Sequence, residues 1–188
     1  AALAINQPGI TKEACEIVIE SNEHQAEAYD LIGRAYYAME DVDKAIECLE
    51  FATSENAQAE KSWTFLAKLH RYGGDTKLAM NILRRAFGSV PESYDVTYEL
   101  SKACLDSGLY TDALTYAHKA LAMQDSSLKA VILLGEVLYS LGNFEDGRHL
   151  LAQSWDMGQR DPELAYWYGK YLLDANEIQA ALPVLEIA

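Results

Sequence analysis

The chain has 188 residues, of which 50% are hydrophobic, and it carries 15 Lys and Arg against 29 Asp and Glu, for a formal net charge of -14 at pH 7. This composition predicts a folded, soluble protein with enough apolar side chains for one or two ordinary domains. The acidic balance argues against nucleic-acid binding, because phosphate binding needs a cationic surface that releases counterions. The sequence shows no long apolar run and no signal-peptide pattern, so it predicts neither a membrane span nor a targeting segment.

The most informative feature of the sequence is a repeat with a period of 34 residues that needs no insertion or deletion. In a frame that starts at Ala26, the copies are residues 26–59, 60–93, 94–127, 128–161 and a final incomplete repeat, 162–188. Position 8 of the frame is always small: Gly33, Ala67, Ser101, Gly135 and Gly169. Position 20 is also always small: Ala45, Ala79, Ala113, Gly147 and Ala181. Such positions indicate helices that cross closely, because a large side chain would collide there.

Each repeat is predicted to contain two helices. The apolar residues recur at helical spacing around positions 1–14 and again around positions 18–31, and short polar or glycine-bearing turns separate the two stretches. The clearest helix start is Asp161-Pro162-Glu163, where Asp can cap, Pro suits the first helical position and Glu complements the helix dipole. Pro183 lies inside the last predicted helix and is expected to kink or delay it.

With these residues identified, the sequence resembles the tetratricopeptide repeat (TPR) family, whose signature places an aromatic residue, Leu-Gly, Tyr, Ala, an aromatic residue and Pro at fixed positions. The closest matches are Tyr29, Ile32, Gly33, Tyr36, Ala45, Leu49 and Ala52, and then Trp63, Leu66, Ala67, Ala79, Leu83, Ala86 and Pro91. The resemblance covers residues 26–188. It implies an all-α fold, a right-handed superhelical solenoid of antiparallel helix pairs, that binds other proteins.

The resemblance also suggests how the chain is organised. Residues 10–25 resemble the second helix of a preceding partial repeat, with Cys15 and Val18 at positions that match the other second helices. We therefore expect residues 1–188 to form a single TPR solenoid that is a fragment of a longer protein.

In this family, positions 2, 5, 9 and 12 of the first helix line a concave groove, and here these positions are rich in cations and Tyr. The candidate partner-binding residues are Arg34, Tyr37, Lys61, Lys68, Arg71, Tyr98, Lys102, Lys129, Tyr139, Tyr166 and Lys170. One interpretation is a channel for an extended peptide, whose acidic side chains or terminal carboxylate meet the cations while the rings cover its apolar side chains. The alternatives are a solvated helix face, whose cations pair with Asp30, Asp95 and Glu99, and a contact with another subunit or domain.

A narrower family function is not supported. The carboxylate clamp of chaperone-binding TPR domains requires Lys, Asn and Arg at fixed positions, which are occupied here by Asp30, Arg34, Phe65, Asp95 and Glu99. The chain is therefore not expected to bind chaperone tails in that way.

Nothing in the sequence indicates catalysis, a cofactor or a metal. No phosphate-binding loop, nucleophile motif or zinc motif occurs. The four histidines do not converge on one helix face: His24, His70, His118 and His149. We expect the three cysteines, Cys15, Cys48 and Cys104, to be buried reduced thiols, which favours the cytoplasm, or the periplasm if a signal lies upstream.

The leading functional hypothesis is a scaffold or adaptor that binds a partner segment in the groove and assists assembly of a multiprotein complex. The expected partner is a protein or peptide, acidic or carboxylate-terminated, with no nucleic acid and no direct membrane insertion. Two alternatives remain. One is a structural scaffold that self-associates into homo-oligomers through uncovered solenoid ends, and the other is a regulatory or recruiting module of a larger enzyme or export machine.

Overall fold

The structure, a computed structural model, describes residues 25–124 and 127–188, and within these ranges it contains ten helices and no strand. In chain order the helices are α1 (Gln25–Ala38), α2 (Val42–Glu55), α3 (Glu60–Tyr72), α4 (Thr76–Ser89), α5 (Tyr94–Asp106), α6 (Tyr110–Met123), α7 (Leu128–Ser140), α8 (Phe144–Asp156), α9 (Pro162–Asp174) and α10 (Ile178–Leu185). The prediction of an all-α helical repeat is confirmed. Apart from Gln25, the predicted helix at residues 10–25 lies outside the described residues.

The helices pack as consecutive pairs, such as α1 with α2, α3 with α4, α7 with α8 and α9 with α10. Short connections join the members of each pair, which makes them antiparallel neighbours. The contacts divide the chain into two compact units that meet between Glu99 and Leu100, inside α5. The first unit therefore holds α1–α4 and the second unit α6–α10. The single solenoid expected from the sequence stays a prediction.

The small residues lie where the helices of a pair approach most closely. A Cβ at Gly33 in α1 would lie 3.0 Å from the Leu49 Cγ atom and 3.1 Å from the Ala45 carbonyl oxygen, both in α2. A Cβ at Gly135 in α7 would lie 2.8 Å from a methyl carbon of Leu151 in α8. All three distances are shorter than ordinary van der Waals contacts, so the absence of a side chain is what allows these helices to approach so closely.

The turn within each repeat uses one backbone geometry. Position 15 of the frame has a positive φ in all five copies, between 61° and 88°: Glu40, Gly74, Gly108, Gly142 and Asn176. This left-handed conformation is natural for Gly and tolerated by Asn, but it is strained for Glu. The first helix ends at position 13 in every repeat, two residues before this turn residue.

The helix ends agree with the sequence signals in one case and depart from them in another. The Asp161 Oδ1 atom accepts hydrogen bonds from the backbone N–H groups of Glu163 (2.9 Å) and Leu164 (3.2 Å), which confirms the predicted start of α9. Pro183 lies inside α10, yet this helix begins at Ile178, one repeat after α8 begins. Pro183 therefore does not delay the start of α10, and the other expected effect, a kink at Pro183, stays a prediction. No helix in the described residues is long and apolar enough to cross a membrane.

Candidate protein-binding surface

The predicted partner-binding residues all lie on the first helices of the repeats, and we call this set the groove stripe. The first unit holds Arg34, Tyr37, Lys61, Lys68, Arg71 and Tyr98, and the second unit holds Lys102, Lys129, Tyr139, Tyr166 and Lys170. Because residues three, four and seven apart share one face of a helix, each helix contributes its members to a single side.

In the first unit, Arg34 is bound to other residues of the fold, although 39% of its side chain is exposed. Its Nε atom donates to the Asp30 Oδ2 atom at 2.7 Å, and its Nη2 atom donates to Oδ1 at 3.1 Å. The Ser62 hydroxyl donates to the same carboxylate at 2.8 Å. The guanidinium also lies 4.7 Å from the centre of the Phe65 ring, and the Tyr37 ring meets Phe65 edge-on at 5.3 Å. The charge of Arg34 is therefore balanced by Asp30, and one of its faces is covered by a ring.

Glu99 forms ion pairs with two other predicted groove cations of the first unit, Lys68 and Arg71. Its side chain is almost fully buried, and its Oε1 atom lies 2.9 Å from the Lys68 Nζ atom while its Oε2 atom lies 3.7 Å from the Arg71 Nη2 atom. A buried carboxylate is costly unless cations and hydrogen bonds compensate it. Lys68 and Arg71 supply that compensation, so the alternative interpretation of an ion-paired helix face applies to these side chains and to Arg34.

The remaining members of the first unit are less constrained by charge. Lys61 is exposed in the first turn of α3, and its backbone carbonyl accepts a hydrogen bond from the Arg34 Nη2 atom at 3.2 Å. Together with Asp30 and other residues of α1 and α3, Lys61 lines a cavity of about 470 Å³. Tyr98 stacks on Tyr94, with ring centroids 5.9 Å apart. These contacts leave Lys61 and the ring faces of the tyrosines as the adaptable part of this unit.

In the second unit, three aromatic rings surround one ammonium group. The Lys170 Nζ atom lies 4.1 Å from the centre of the Tyr139 ring, 4.8 Å from that of Trp167 and 6.0 Å from that of Tyr166. Tyr139 belongs to α7 and the other three residues to α9. We call this group of four residues the lysine cradle. Lys129, by contrast, is exposed in the first turn of α7, ten residues before Tyr139.

Tyr139, the residue that α7 contributes to the lysine cradle, is held in place by a hydrogen bond and by ring contacts. The Tyr139 hydroxyl donates to the Asp174 Oδ2 atom, and this hydrogen bond is the main reason that the pKa of Tyr139 lies above its ordinary value. The Tyr139 ring meets the rings of Tyr171 and Phe144 edge-on, each with centroids 5.2 Å apart. Tyr171 is buried, and its hydroxyl donates to the Gly135 carbonyl oxygen at 2.6 Å. These contacts fix the wall of the cradle that α7 contributes.

A carboxylate lies among the cations of the second unit. Burial raises the pKa of Glu136, and the nearby charges act in both directions, since Lys102 and Lys170 lower it whereas Glu163 and Asp106 raise it. Glu136 occupies position 9 of its repeat, between the copies that carry Lys102 and Lys170. The groove residues of the second unit therefore carry both positive and negative charges. Position 9 taken alone, with Lys102 and Lys170, suggests a row of positive charges.

The described residues contain no group of three or more His, Cys, Asp or Glu that could hold a metal ion. Cys104 is buried, as expected, whereas Cys48 is only half-buried, and Cys15 lies outside the described residues.

Family comparisons match repeats along most of the chain. Two tetratricopeptide repeat models match residues 26–58 and 64–127, which together cover just over half of the sequence. A third model, described as anaphase-promoting complex, cyclosome, subunit 3, matches residues 106–188.

Two curated relatives share part of the chain. The BBSome complex member BBS4 of Bos taurus is 25% identical over 140 residues, which is 73% of this chain and 27% of that protein. The peroxisomal targeting signal receptor of Saccharomyces cerevisiae is 24% identical over 116 residues, which is 62% of this chain and 19% of that protein. The chain thus spans about a quarter of these relatives or less.

Solved structures show the same architecture. A tetratricopeptide repeat protein from Parabacteroides merdae superposes with a TM-score of 0.80 at 16% identity, covering 93% of this chain and 70% of that one. YrrB, described as a TPR protein with an unusual peptide-binding site, superposes with a TM-score of 0.73 at 18% identity, covering 94% and 91%. The 34-residue period, the helix pairs and the matching family models show that this chain belongs to the tetratricopeptide repeat family, whose members generally mediate protein–protein interactions.

Proposed function

We propose that this chain is an interaction module that binds an extended segment of a partner protein on its groove stripe and so helps to assemble a multiprotein complex. The observation that carries the proposal is the lysine cradle. Packing of helix pairs requires small and apolar residues where the helices cross. It does not require that the ammonium group of Lys170 lie among three aromatic rings contributed by α7 and α9. Aromatic side chains beside a charge are the kind of surface that anchors protein partners.

The contacts refine the chemistry of the expected partner. The cations Arg34 and Lys68 are already paired with carboxylates of the fold, so an acidic partner has to compete with Asp30 and Glu99 for them. The stripe of the first unit therefore offers mainly ring surface, such as Tyr37, together with Lys61. The partner we propose is a peptide segment with apolar side chains and few acidic ones, and we do not propose catalysis.

The relatives support the same kind of function. One family model is named for a subunit of the anaphase-promoting complex, and one relative is a BBSome complex member, so both names describe parts of assemblies. The other relative is a targeting signal receptor, and the description of YrrB mentions a peptide-binding site. Proteins similar to this chain thus include members of assemblies and a protein with a peptide-binding site, and this supports the proposal for the present chain.

The test measures fluorescence anisotropy of a library of fluorescein-labelled extended decapeptides with the wild type and with Tyr37→Ser and Tyr166→Ser. The matched control is Tyr110→Ser, because Tyr110 lies on the second helix α6 and is 40% exposed, close to 43% for Tyr37 and 49% for Tyr166. We expect at least one groove variant to bind selected peptides about tenfold more weakly, since removing an aromatic anchor costs more than 1 kcal/mol.

The control should bind like the wild type, and all variants should keep the wild-type circular dichroism. A library without binders, or equal losses in the groove variants and in Tyr110→Ser, would contradict the proposal.

A second candidate, self-association, is favoured by one observation. The last helix and the residues after it expose large apolar side chains: Ile178, Leu182 and Ile187. Exposed apolar patches commonly mark association sites. Sedimentation velocity over a wide range of protein concentration tests this candidate, with Leu182→Glu as the disrupting variant. A sedimentation coefficient that rises with concentration in the wild type and stays constant in Leu182→Glu would favour self-association.

A further inference from the structure

Lys170 differs in its contacts from Arg34 and Lys68, the two cations at the same repeat position in the first unit, which are both paired with carboxylates. Lys68 is ion-paired with Glu99, whereas Lys170 has ring contacts and, among the described residues, no carboxylate at ion-pairing distance. An ammonium group has three N–H donors. Ring faces attract its charge through cation–π interaction but accept no strong hydrogen bond. The donors of Lys170 are therefore available to an incoming acceptor.

The rings also prepare Lys170 for binding. A long, flexible side chain normally loses rotamer freedom when it is immobilised at an interface. Contacts with Tyr139, Trp167 and Tyr166 already restrict Lys170, so less freedom is lost when a carboxylate binds. The surrounding rings exclude water from one side of the ammonium group, and a charge-assisted hydrogen bond is stronger where less water competes.

Exposed apolar side chains lie on both sides of Lys170 along α9. Tyr166 precedes it by four residues and Leu173 follows it by three, so all three lie on one face of the helix. Both flanking side chains are nearly half exposed, 49% for Tyr166 and 46% for Leu173. A bound chain that continues past the ammonium group in both directions can cover both of them. This favours a carboxylate in the middle of a segment over one at a chain end.

Nearby acids limit how much negative charge the site accepts. The carboxylate of Asp174 already accepts the Tyr139 hydroxyl, and Glu136 and Glu163 lie close enough to affect each other electrostatically. Like charges brought together at an interface are repelled, which suppresses wrong partners. A run of acidic residues would meet these carboxylates, whereas a single carboxylate placed over Lys170 would meet mainly the ammonium group and the rings.

We propose that the lysine cradle determines the specificity of the groove stripe by binding one internal Asp or Glu side chain of an extended partner segment, flanked on both sides by large apolar residues. This rests on the function proposed above, because it assumes that the stripe binds peptide. Lys170 supplies the hydrogen bonds to the carboxylate. Tyr166 and Leu173 cover the flanking apolar side chains.

The test compares four fluorescein-labelled peptide libraries by anisotropy. The first three are amidated at the C-terminus: one has a central Glu between randomised apolar residues, one has Gln in its place, and one has a run of Glu. The fourth repeats the apolar library with a free terminal carboxylate and no Glu. The protein variants are Lys170→Met, which keeps an apolar stem without the charge, and Lys129→Met, a matched control that removes an exposed Lys elsewhere on the stripe.

We expect the single-Glu library to bind about tenfold more tightly than the Gln library, which corresponds to one charge-assisted hydrogen bond. Lys170→Met should abolish this ratio, and Lys129→Met should keep it. Lys170→Arg should restore most of the ratio, because Arg keeps the charge and binds ring faces. A merely structural role of Lys170 would lower the melting temperature without changing the ratio of the two libraries.

The outcomes separate the two proposals. If Glu and Gln peptides bind equally, or if Lys170→Met keeps the ratio, the cradle inference is overturned, while a loss of binding in Tyr166→Ser keeps the groove proposal. Tighter binding of the run of Glu or of the free-carboxylate library would also overturn the inference, because it would identify a different ligand. If no library binds the wild type, both proposals fail.

Discussion

Gly147 shows how one missing side chain positions the cradle. A Cβ at this residue of α8 would overlap the hydroxyl end of the Tyr171 ring, so the ring fills the space that a side chain would need. Tyr171 is buried, bonds to the Gly135 carbonyl and supports the ring of Tyr139 from below. The absence of a side chain at Gly147 therefore determines the position of Tyr171, and through it the position of the Tyr139 ring beside Lys170.

We expect Gly147→Ala to lower the free energy of unfolding by about 1–3 kcal/mol, because the added methyl group forces Tyr171 to move in a packed core. Urea unfolding followed by circular dichroism measures the change. Gly88→Ala is the control, since Gly88 lies in helix α4 and a Cβ there would meet nothing within 4 Å. That variant should be neutral or slightly more stable, and equal unfolding midpoints for Gly147→Ala and the wild type would contradict the account.

Glu136 gives the stability of the protein a dependence on pH. Burial raises its pKa in the folded state, so the folded protein binds this proton more tightly than the unfolded chain does. Stability is then lost as pH rises from the ordinary Glu pKa through the raised one, and the whole penalty is present above the raised pKa.

We therefore expect Glu136→Gln to melt at a higher temperature than the wild type at about pH 7, with a difference that shrinks toward about pH 3, which lies below the ordinary Glu pKa of about 4.3, so that the carboxyl is mostly protonated in both states. Thermal melts across this range measure the difference. Glu50→Gln, a change at an exposed Glu of α2, controls for the altered net charge. A gain that is equal at both pH values would show that burial of the charge is not its cause.

At the scale of helices and turns, the sequence predicted the elements well because their signals are local. Helical spacing of apolar residues, small residues at positions 8 and 20, and the cap at Asp161 each depend on a few neighbouring residues. The five turns share a left-handed residue at position 15, and the glycines at three of those positions were a visible sign of it. A delayed start of α10 was one of two expected effects of Pro183, and the helix instead begins five residues before it, at Ile178.

Among the five residues at position 15, Glu40 is the least suited to the left-handed conformation of this turn. Its φ is 62°, and its side chain has a Cβ that makes this conformation costly. We expect Glu40→Gly to stabilise the protein by about 1 kcal/mol, because Gly adopts the left-handed conformation without steric cost. The converse change, Gly74→Glu, should destabilise it by a similar amount. Chemical denaturation measures both variants, and changes of the same sign would rule out backbone strain as the cause.

At the scale of the whole molecule, the dominant property is the excess of acidic residues, 29 against 15 basic ones. Like charges distributed over a compact state repel one another and reduce its stability. The lysine cradle is a local exception in which attraction to an acidic ligand is proposed. Salt screens both the repulsion between acidic residues and the attraction of an acidic ligand to Lys170. Added salt should therefore raise the stability of the fold and weaken binding of the ligand.

We expect added NaCl to raise the melting temperature while it weakens binding of the single-Glu peptides. Differential scanning calorimetry and anisotropy in the same buffers measure the two trends. Choline chloride at equal ionic strength is the control, because an equal shift identifies screening of charge rather than binding of a particular cation. A melting temperature that falls with salt would mean that attractive ion pairs, such as those of Glu99, outweigh the general repulsion.

The amino-acid sequence by itself determined the period, the helix pairs and which candidate residues lie on the first helices, because helical periodicity depends on residues that are near one another in the chain. It could not decide which cations of the stripe are already paired. Glu99 meets Lys68 and Arg71 across two helices, and Tyr139 meets Lys170 across repeats. These contacts arise only when helices pack, because packing sets the distances between side chains and removes the water that would otherwise weaken their interactions.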